Sequence, residues 1–135
     1  LAVAQHLPGA TVVGTDVSAR ALRIASDRTA HLDRVHVVDA TDDEAVRRAV
    51  YGPVDYVVLA EVLYYLGGDR GMDMALTSVR SLVGPETRVV MVHGSADACS
   101  LHARAANALG LDIVSGVCVL EADRPFEIVV AAAAA

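Results

Sequence analysis

Four positions concentrate the chain's capacity for chemistry: Asp16, Asp39, Glu61 and His93, each at or just past the end of a short apolar run. A carboxylate accepts hydrogen bonds from both vicinal hydroxyls of a ribose, and its charge repels a 2′-phosphate. Asp16, closing Thr11-Val-Val-Gly-Thr-Asp16, suits that role; its local alternative is a turn or cap residue, because Val17-Ser18 leads into a helix. Asp39 closes Val35-His-Val-Val-Asp39 and suits an exocyclic adenine amine. Equally, Asp39 could join Asp42 and Asp43 in placing negative charge at a helix start, where the macrodipole favours it. Glu61 and His93 are the candidate proton acceptors, since a neutral imidazole takes a proton near pH 7. Both have structural alternatives. Glu61 could satisfy backbone N–H groups of its own turn, and His93 could simply be a hydrogen-bonded strand end.

The elements that must position these groups alternate in type. Leu1 to Leu7 reads as the last turns of a helix stopped by Pro8-Gly9. Strands follow at 11–16, 35–39, 54–60 and 88–93. The third is apolar without alternation in its core, as expected for a parallel strand covered on both faces. Ser18 predicts a helix cap for about 19–29, with Leu22 and Ile24 among its buried positions. Thr41 with Glu44 three residues on forms a capping box for a short helix to about Val50. Gly67-Gly68 precedes a helix near 72–82, which Gly84-Pro85 ends. Ser95 is predicted to cap a helix over 96–109 with Gly110 as its stop, and His102 on that helix reads as surface. Runs at 112–120 and 126–130, joined by Glu121-Ala-Asp-Arg-Pro125, predict an antiparallel hairpin. Strand-helix alternation closed by a hairpin implies an α/β fold with a mostly parallel sheet. Such sheets bind ligands beyond the carboxyl ends of their strands, and three of the four parallel strand ends carry a carboxylate there.

Composition narrows the function classes. The chain has 135 residues, room for one domain, and 54% apolar residues, enough for a core without disulfide or metal support. Eleven basic residues, none of them Lys, stand against seventeen acidic ones for a net charge of −6, which argues against a nucleic-acid phosphate backbone as partner. Cys99 and Cys118 form no CxxC, so no metal site is expected, and a reducing cytoplasm is the default location. No run is apolar enough to span a bilayer, so no membrane partner is expected. His6, His31 and His36 join no constellation.

Val12-Val-Gly-Thr-Asp-Val-Ser18, Val35-His-Val-Val-Asp-Ala-Thr41 and Val54-Asp-Tyr-Val-Val-Leu-Ala-Glu-Val-Leu-Tyr-Tyr-Leu66 resemble successive motifs of class I S-adenosylmethionine-dependent methyltransferases. The stretch from Glu61 to Leu66 is similar to the nodulation-protein-S-like branch, which methylates small molecules. The resemblance implies a Rossmann-like three-layer sandwich whose C-terminal antiparallel strand inserts beside the last-but-one. It also implies S-adenosylmethionine as cofactor and a small-molecule substrate. Asp16 would bind both ribose hydroxyls, Val17 would pack on the adenine, and Asp39 and Ala40 would face its edge. Ala60 and Glu61 would line the methionine end. In the loop after Glu61, Tyr64 and Tyr65 could wall the acceptor pocket or touch the sulfonium methyl, or equally pack beneath that loop. The Asn/Asp-Pro-Pro-Tyr signature of amino-group methylation on nucleobases or glutamine does not follow the third strand.

The family's glycine-rich loop after its first strand has no counterpart here. The expectation is a truncated methyltransferase domain over 1–130, its first strand missing, followed by an alanine tail at 131–135. Without the missing strand, two neighbouring strands would carry open backbone edges that must pair with each other or with another chain. The expected activity is therefore that of a fragment. Two other readings stay open. One is a non-catalytic methyltransferase-like scaffold that pairs with a partner chain. The other is a nicotinamide-dependent oxidoreductase, for which the absence of any Lys removes the usual Tyr-x-x-x-Lys pair.

Overall fold

The computed structural model describes residues 2–65, 68–94, 97–120 and 125–134, without the side chains at 68–71 and 74. The expectations for Gly67, for Ser95 as a cap and for the linker 121–124 lie outside the described residues. The chain divides into two compact units, Leu1–Gly52 and Pro53–Ala135.

The first unit contains α1 (Ala2–His6), β1 (Val12–Asp16), α2 (Ala19–Thr29), β2 (Val35–Asp39) and α3 (Asp43–Ala49). β1 and β2 pair in parallel, from Val12 opposite Val35 to Asp16 opposite Asp39. Arg34 donates to Leu7 O at 3.3 Å and Ala10 O at 2.9 Å, which ties the turn after α1 to the start of β2. Ser18 caps α2 as expected, its Oγ accepting from Ala21 N at 3.3 Å. Two expectations are corrected. Asp42, not Thr41, caps α3: its Oδ1 accepts from Ala45 N at 2.9 Å, while the Thr41 hydroxyl turns back to Asp39. Leu22 is only half-buried and Ile24 is 40% exposed, because two short strands offer α2 too little surface to cover its apolar face.

The second unit contains β3 (Tyr56–Ala60), a 3-10 turn (Leu63–Tyr65), α4 (Gly68–Arg80), β4 (Arg88–His93), α5 (Ala98–Leu109), β5 (Asp112–Val119) and β6 (Phe126–Ala132). Its strand order is β3-β4-β6-β5, with β3 and β4 parallel and β6 antiparallel to both its neighbours. The hairpin's second strand thus lies between β4 and β5, as the resemblance implied. The core packs one face of this sheet, through Val89, Met91, Val129 and Ala131, against Met72 and Leu76 of α4 and Ala105, Ala106 and Leu109 of α5.

Several boundaries move. β3 is not covered on both faces: Val57 and Leu59 face the core side, whereas Val58 is 55% exposed and Tyr56 and Ala60 are exposed too. The predicted run encoded a strand but not the helix needed on its second face. α4 spans Gly68–Arg80 rather than 72–82. α5 starts at Ala98 behind Asp97, which makes no side-chain cap bond, and ends as expected at Gly110 with φ 71°. β6 runs past Val130 into the alanines: Ala131 lies opposite Val89 and Ile113, and Ala132 opposite Asp112, both buried. His102, expected on the surface, is fully buried. No described helix is long and apolar enough to cross a membrane.

Candidate functional site

In the first unit, the parallel register makes Asp16 and Asp39 immediate neighbours at the carboxyl ends of adjacent strands, which run about 4.8 Å apart. Each carboxylate is oriented by the turn that follows it. Asp16 Oδ1 accepts from Ser18 N at 2.8 Å. Asp39 Oδ1 accepts from Thr41 N at 2.8 Å and from the Thr41 hydroxyl at 2.7 Å. Those bonds hold the Asp39 carboxyl below the usual carboxylate range, the hydroxyl bond contributing most. Ala40 N donates to Asp16 O at 3.0 Å and ties the two strand ends together. Both carboxylates are exposed, with an acceptor oxygen each that no described residue fills. Val17 projects into solvent beside them.

In the second unit, the structure brings Glu61, Tyr64 and His93 together. Glu61 is the one non-glycine residue with positive φ among the described residues, at 56°. That left-handed backbone costs roughly 1–2 kcal/mol for a residue with a Cβ, so surrounding contacts must hold it. Glu61 N donates to Val92 O at 2.8 Å. Its Oε1 accepts from Gly94 N at 2.6 Å, and the Tyr64 hydroxyl donates to its Oε2. The segment is thereby fastened to the end of β4. Tyr64 is half-buried, with its ring edge-on to His93 at 5.7 Å, while Tyr65 and Ala60 lie exposed.

His93 does not present a free nitrogen. Its Nε2 accepts from Val62 N at 3.2 Å and Leu63 N at 3.1 Å, and its Nδ1 meets His102 Nε2 at 2.9 Å. The residue is 0% exposed, and burial first, then the nearby His102, hold its pKa below the ordinary histidine value, with Glu61 opposing. Both ring nitrogens, the atoms that the expected role as a proton acceptor would use, are already engaged. The alternative weighed for it, a hydrogen-bonded strand-end residue, describes what it does.

Two residues of this cluster escaped the sequence reading, His102 and Glu127. His102 Nδ1 lies 2.9 Å from Glu127 Oε2, and burial lowers the His102 pKa against the raising effect of that carboxylate. The signal for His102 was present: Ala98, His102, Ala105 and Leu109 recur at helical spacing on the buried stripe of α5. Glu127 gave no such signal, since one acidic residue in a strand reads as solvent-facing. Cys99 and Cys118 are free and exposed, and no group of three potential metal ligands occurs among the described residues.

Comparisons with known proteins agree with this architecture. The search of curated proteins returned no match. The N-methyltransferase NodS from Bradyrhizobium japonicum WM9 superposes with a TM-score of 0.68 at 21% identity, over 94% of this chain and 76% of NodS. NodS in complex with S-adenosyl-l-homocysteine gives 0.69 at 22% identity, over 94% and 69%. A precorrin-6y C5,15-methyltransferase from Geobacter metallireducens GS-15 gives 0.71 at 15% identity, over 97% and 71%. These likenesses are of fold. Residues 1–89, more than half of the sequence, match the family described as Methyltransferase domain. With the motif sequence at Asp16, Asp39 and Glu61 and the inserted antiparallel strand, that match means the chain belongs to the class I S-adenosylmethionine-dependent methyltransferase family.

Proposed function

We propose that this chain serves methyl transfer from S-adenosylmethionine to a small-molecule acceptor. The observation that carries the reading is the pair Asp16 and Asp39, set side by side by the β1–β2 register and oriented by their own turns before any ligand arrives. The donor groups of an adenosine, two ribose hydroxyls and an exocyclic amine, match two outward carboxylates. Asp16 accepts from the hydroxyls, Asp39 and Ala40 meet the adenine edge, and the exposed Val17 gives the ring an apolar face.

S-adenosylmethionine supplies a methyl group on a sulfonium, and the protein's own part is alignment and proton management. Ala60 and Glu61 serve the methionine and reacting end. Glu61 is the group to hold or accept a proton, at Oε1 beside Gly94 N or at Oε2 beside the Tyr64 hydroxyl. Tyr64 fixes that carboxylate, and the exposed Tyr65 offers its ring to the acceptor. The net charge of −6 and the lack of Lys support a small molecule over a nucleic acid. The two free thiols support a reducing, cytoplasmic setting.

A second reading is favoured by one observation. Among the described residues β1 pairs only with β2, and β3 only with β4, so each leaves a backbone edge that another chain could pair with, as a non-catalytic scaffold would. Calorimetric titration with S-adenosylhomocysteine separates the two. Asp16→Asn keeps an oxygen for Ser18 N but loses the charge, and should weaken binding by about tenfold to a hundredfold, the worth of a charged hydrogen bond. Unchanged affinity would remove Asp16 from the ribose; no binding by the unaltered protein would leave the scaffold.

A further inference from the structure

The cluster beneath the Glu61 segment forms a one-way chain of hydrogen bonds. At one end, Val62 N and Leu63 N are obligate donors, so His93 Nε2 carries a lone pair and its proton sits on Nδ1. That N–H donates to His102 Nε2 at 2.9 Å. His102 therefore holds its own proton on Nδ1, and donates it to Glu127 Oε2 at 2.9 Å. Backbone donors at one end and a carboxylate at the other fix the tautomer of both rings.

We propose that His102 and Glu127 are positioning residues for the methyl-transfer segment. They lock His93 as an acceptor and, through it, hold Glu61 to Tyr65 in the strained conformation seen here. The proposal rests on the reading that this segment serves the reaction. None of the three residues needs to touch substrate. A proton added to either ring would set N–H against N–H: His102 protonated at Nε2 would face the His93 Nδ1 proton, and His93 protonated at Nε2 would face both amides. The titratable groups around the pair are Glu61 and Tyr64 from the loop, Cys99 of α5, Cys118 of β5 and Glu127 of β6. Glu127 is the part of the chain nearest solvent, its side chain 28% exposed on a shallow cavity of about 300 Å³ that Cys99, Ile113, Val117 and Cys118 also line.

The test uses Glu127, whose partial exposure lets substitutions fold. In Glu127→Val the His102 Nδ1 proton loses its acceptor, so a buried donor is left unpaired unless both rings reverse against the Val62 and Leu63 amides, and either state loosens the segment; Glu127→Gln still offers an oxygen to His102 Nδ1. Nitrogen-15 spectra of the histidine rings should show His93 Nε2 unprotonated and His102 Nδ1 protonated in the unaltered protein and in Glu127→Gln, and a mixture of tautomers at His102 in Glu127→Val. Hydrogen exchange at Val62 and Leu63 should quicken by about tenfold or more in Glu127→Val only. S-adenosylhomocysteine affinity should fall with it and recover in Glu127→Gln. A protonated His93 Nε2 in the unaltered protein, or unchanged exchange in Glu127→Val, overturns the proposal. So does quickened exchange with affinity untouched, because the lock would then serve no ligand. Failure of the functional reading looks different: the unaltered protein would not bind S-adenosylhomocysteine at all, while the ring and exchange signatures stayed as described.

Discussion

Lowering the pH from 7 to 5.5 should destabilise the second unit through the two buried histidines, and the size of the effect follows from their burial. His93 and His102 are both 0% exposed, and both pKa values lie below the ordinary 6.5, with burial the first cause in each. The folded state therefore binds fewer protons than the unfolded state wherever the unfolded histidines titrate. Stability is full above about pH 6.5 and declines as pH falls below it. Linkage sets the ceiling, reached only where neither folded ring takes a proton: about 1.4 kcal/mol per histidine at pH 5.5, or about 2.8 kcal/mol for the pair. That is a large part of a domain's usual 5–15 kcal/mol. The window lies above the range where Asp39, held below the usual carboxylate value by Thr41, takes up a proton. Urea unfolding followed at the Val89 and Met91 amide resonances, which report the core strand β4, measures it. The decline should shrink by about half in His102→Phe, which removes one of the two titrating rings. Constant or rising stability between pH 7 and 5.5 would refute the neutral, donor-to-acceptor arrangement of the pair.

Two further outcomes test the corrected elements. Asp42→Ala should cost α3 about 1 kcal/mol by loss of its cap bond to Ala45, whereas Thr41→Ala should leave the exchange protection of that helix nearly unchanged. On the second unit's sheet, Val58→Thr should stay within about 0.5 kcal/mol in urea unfolding, while Met91→Ala should cost about 2–5 kcal/mol. A large loss at Val58 would mean that its face of β3 is covered after all.

The carboxylates show how much of the site was legible. Asp16 and Asp39 could be found because a short β-branched run ending in an acid is a local pattern, and parallel pairing then makes two such ends neighbours. Ser18 and Gly110 were equally readable, because a cap needs only its own helix. Thr41 misled because two cap candidates stood side by side, and the choice fell to Asp39, which captured the threonine hydroxyl. His102 was underread because a polar residue on an apolar stripe is ambiguous until its partner is known. That partner, Glu127, lies 25 positions away on β6.

The family, the strand-helix order and the acids at the strand ends were determined by sequence alone, because each depends on periodicity or on neighbours within a few residues. Tertiary structure alone decided the fate of His93. Its imidazole looked like a proton acceptor at a strand end, but pairing β3 with β4 brings the Val62 and Leu63 amides onto Nε2, and packing α5 on the sheet brings His102, itself bonded to Glu127, onto Nδ1. Hydrogen-bond capacity is a property of the residue. Which partner consumes it is set by contacts distant in sequence, and those contacts turned a candidate base into the support of the Glu61 segment.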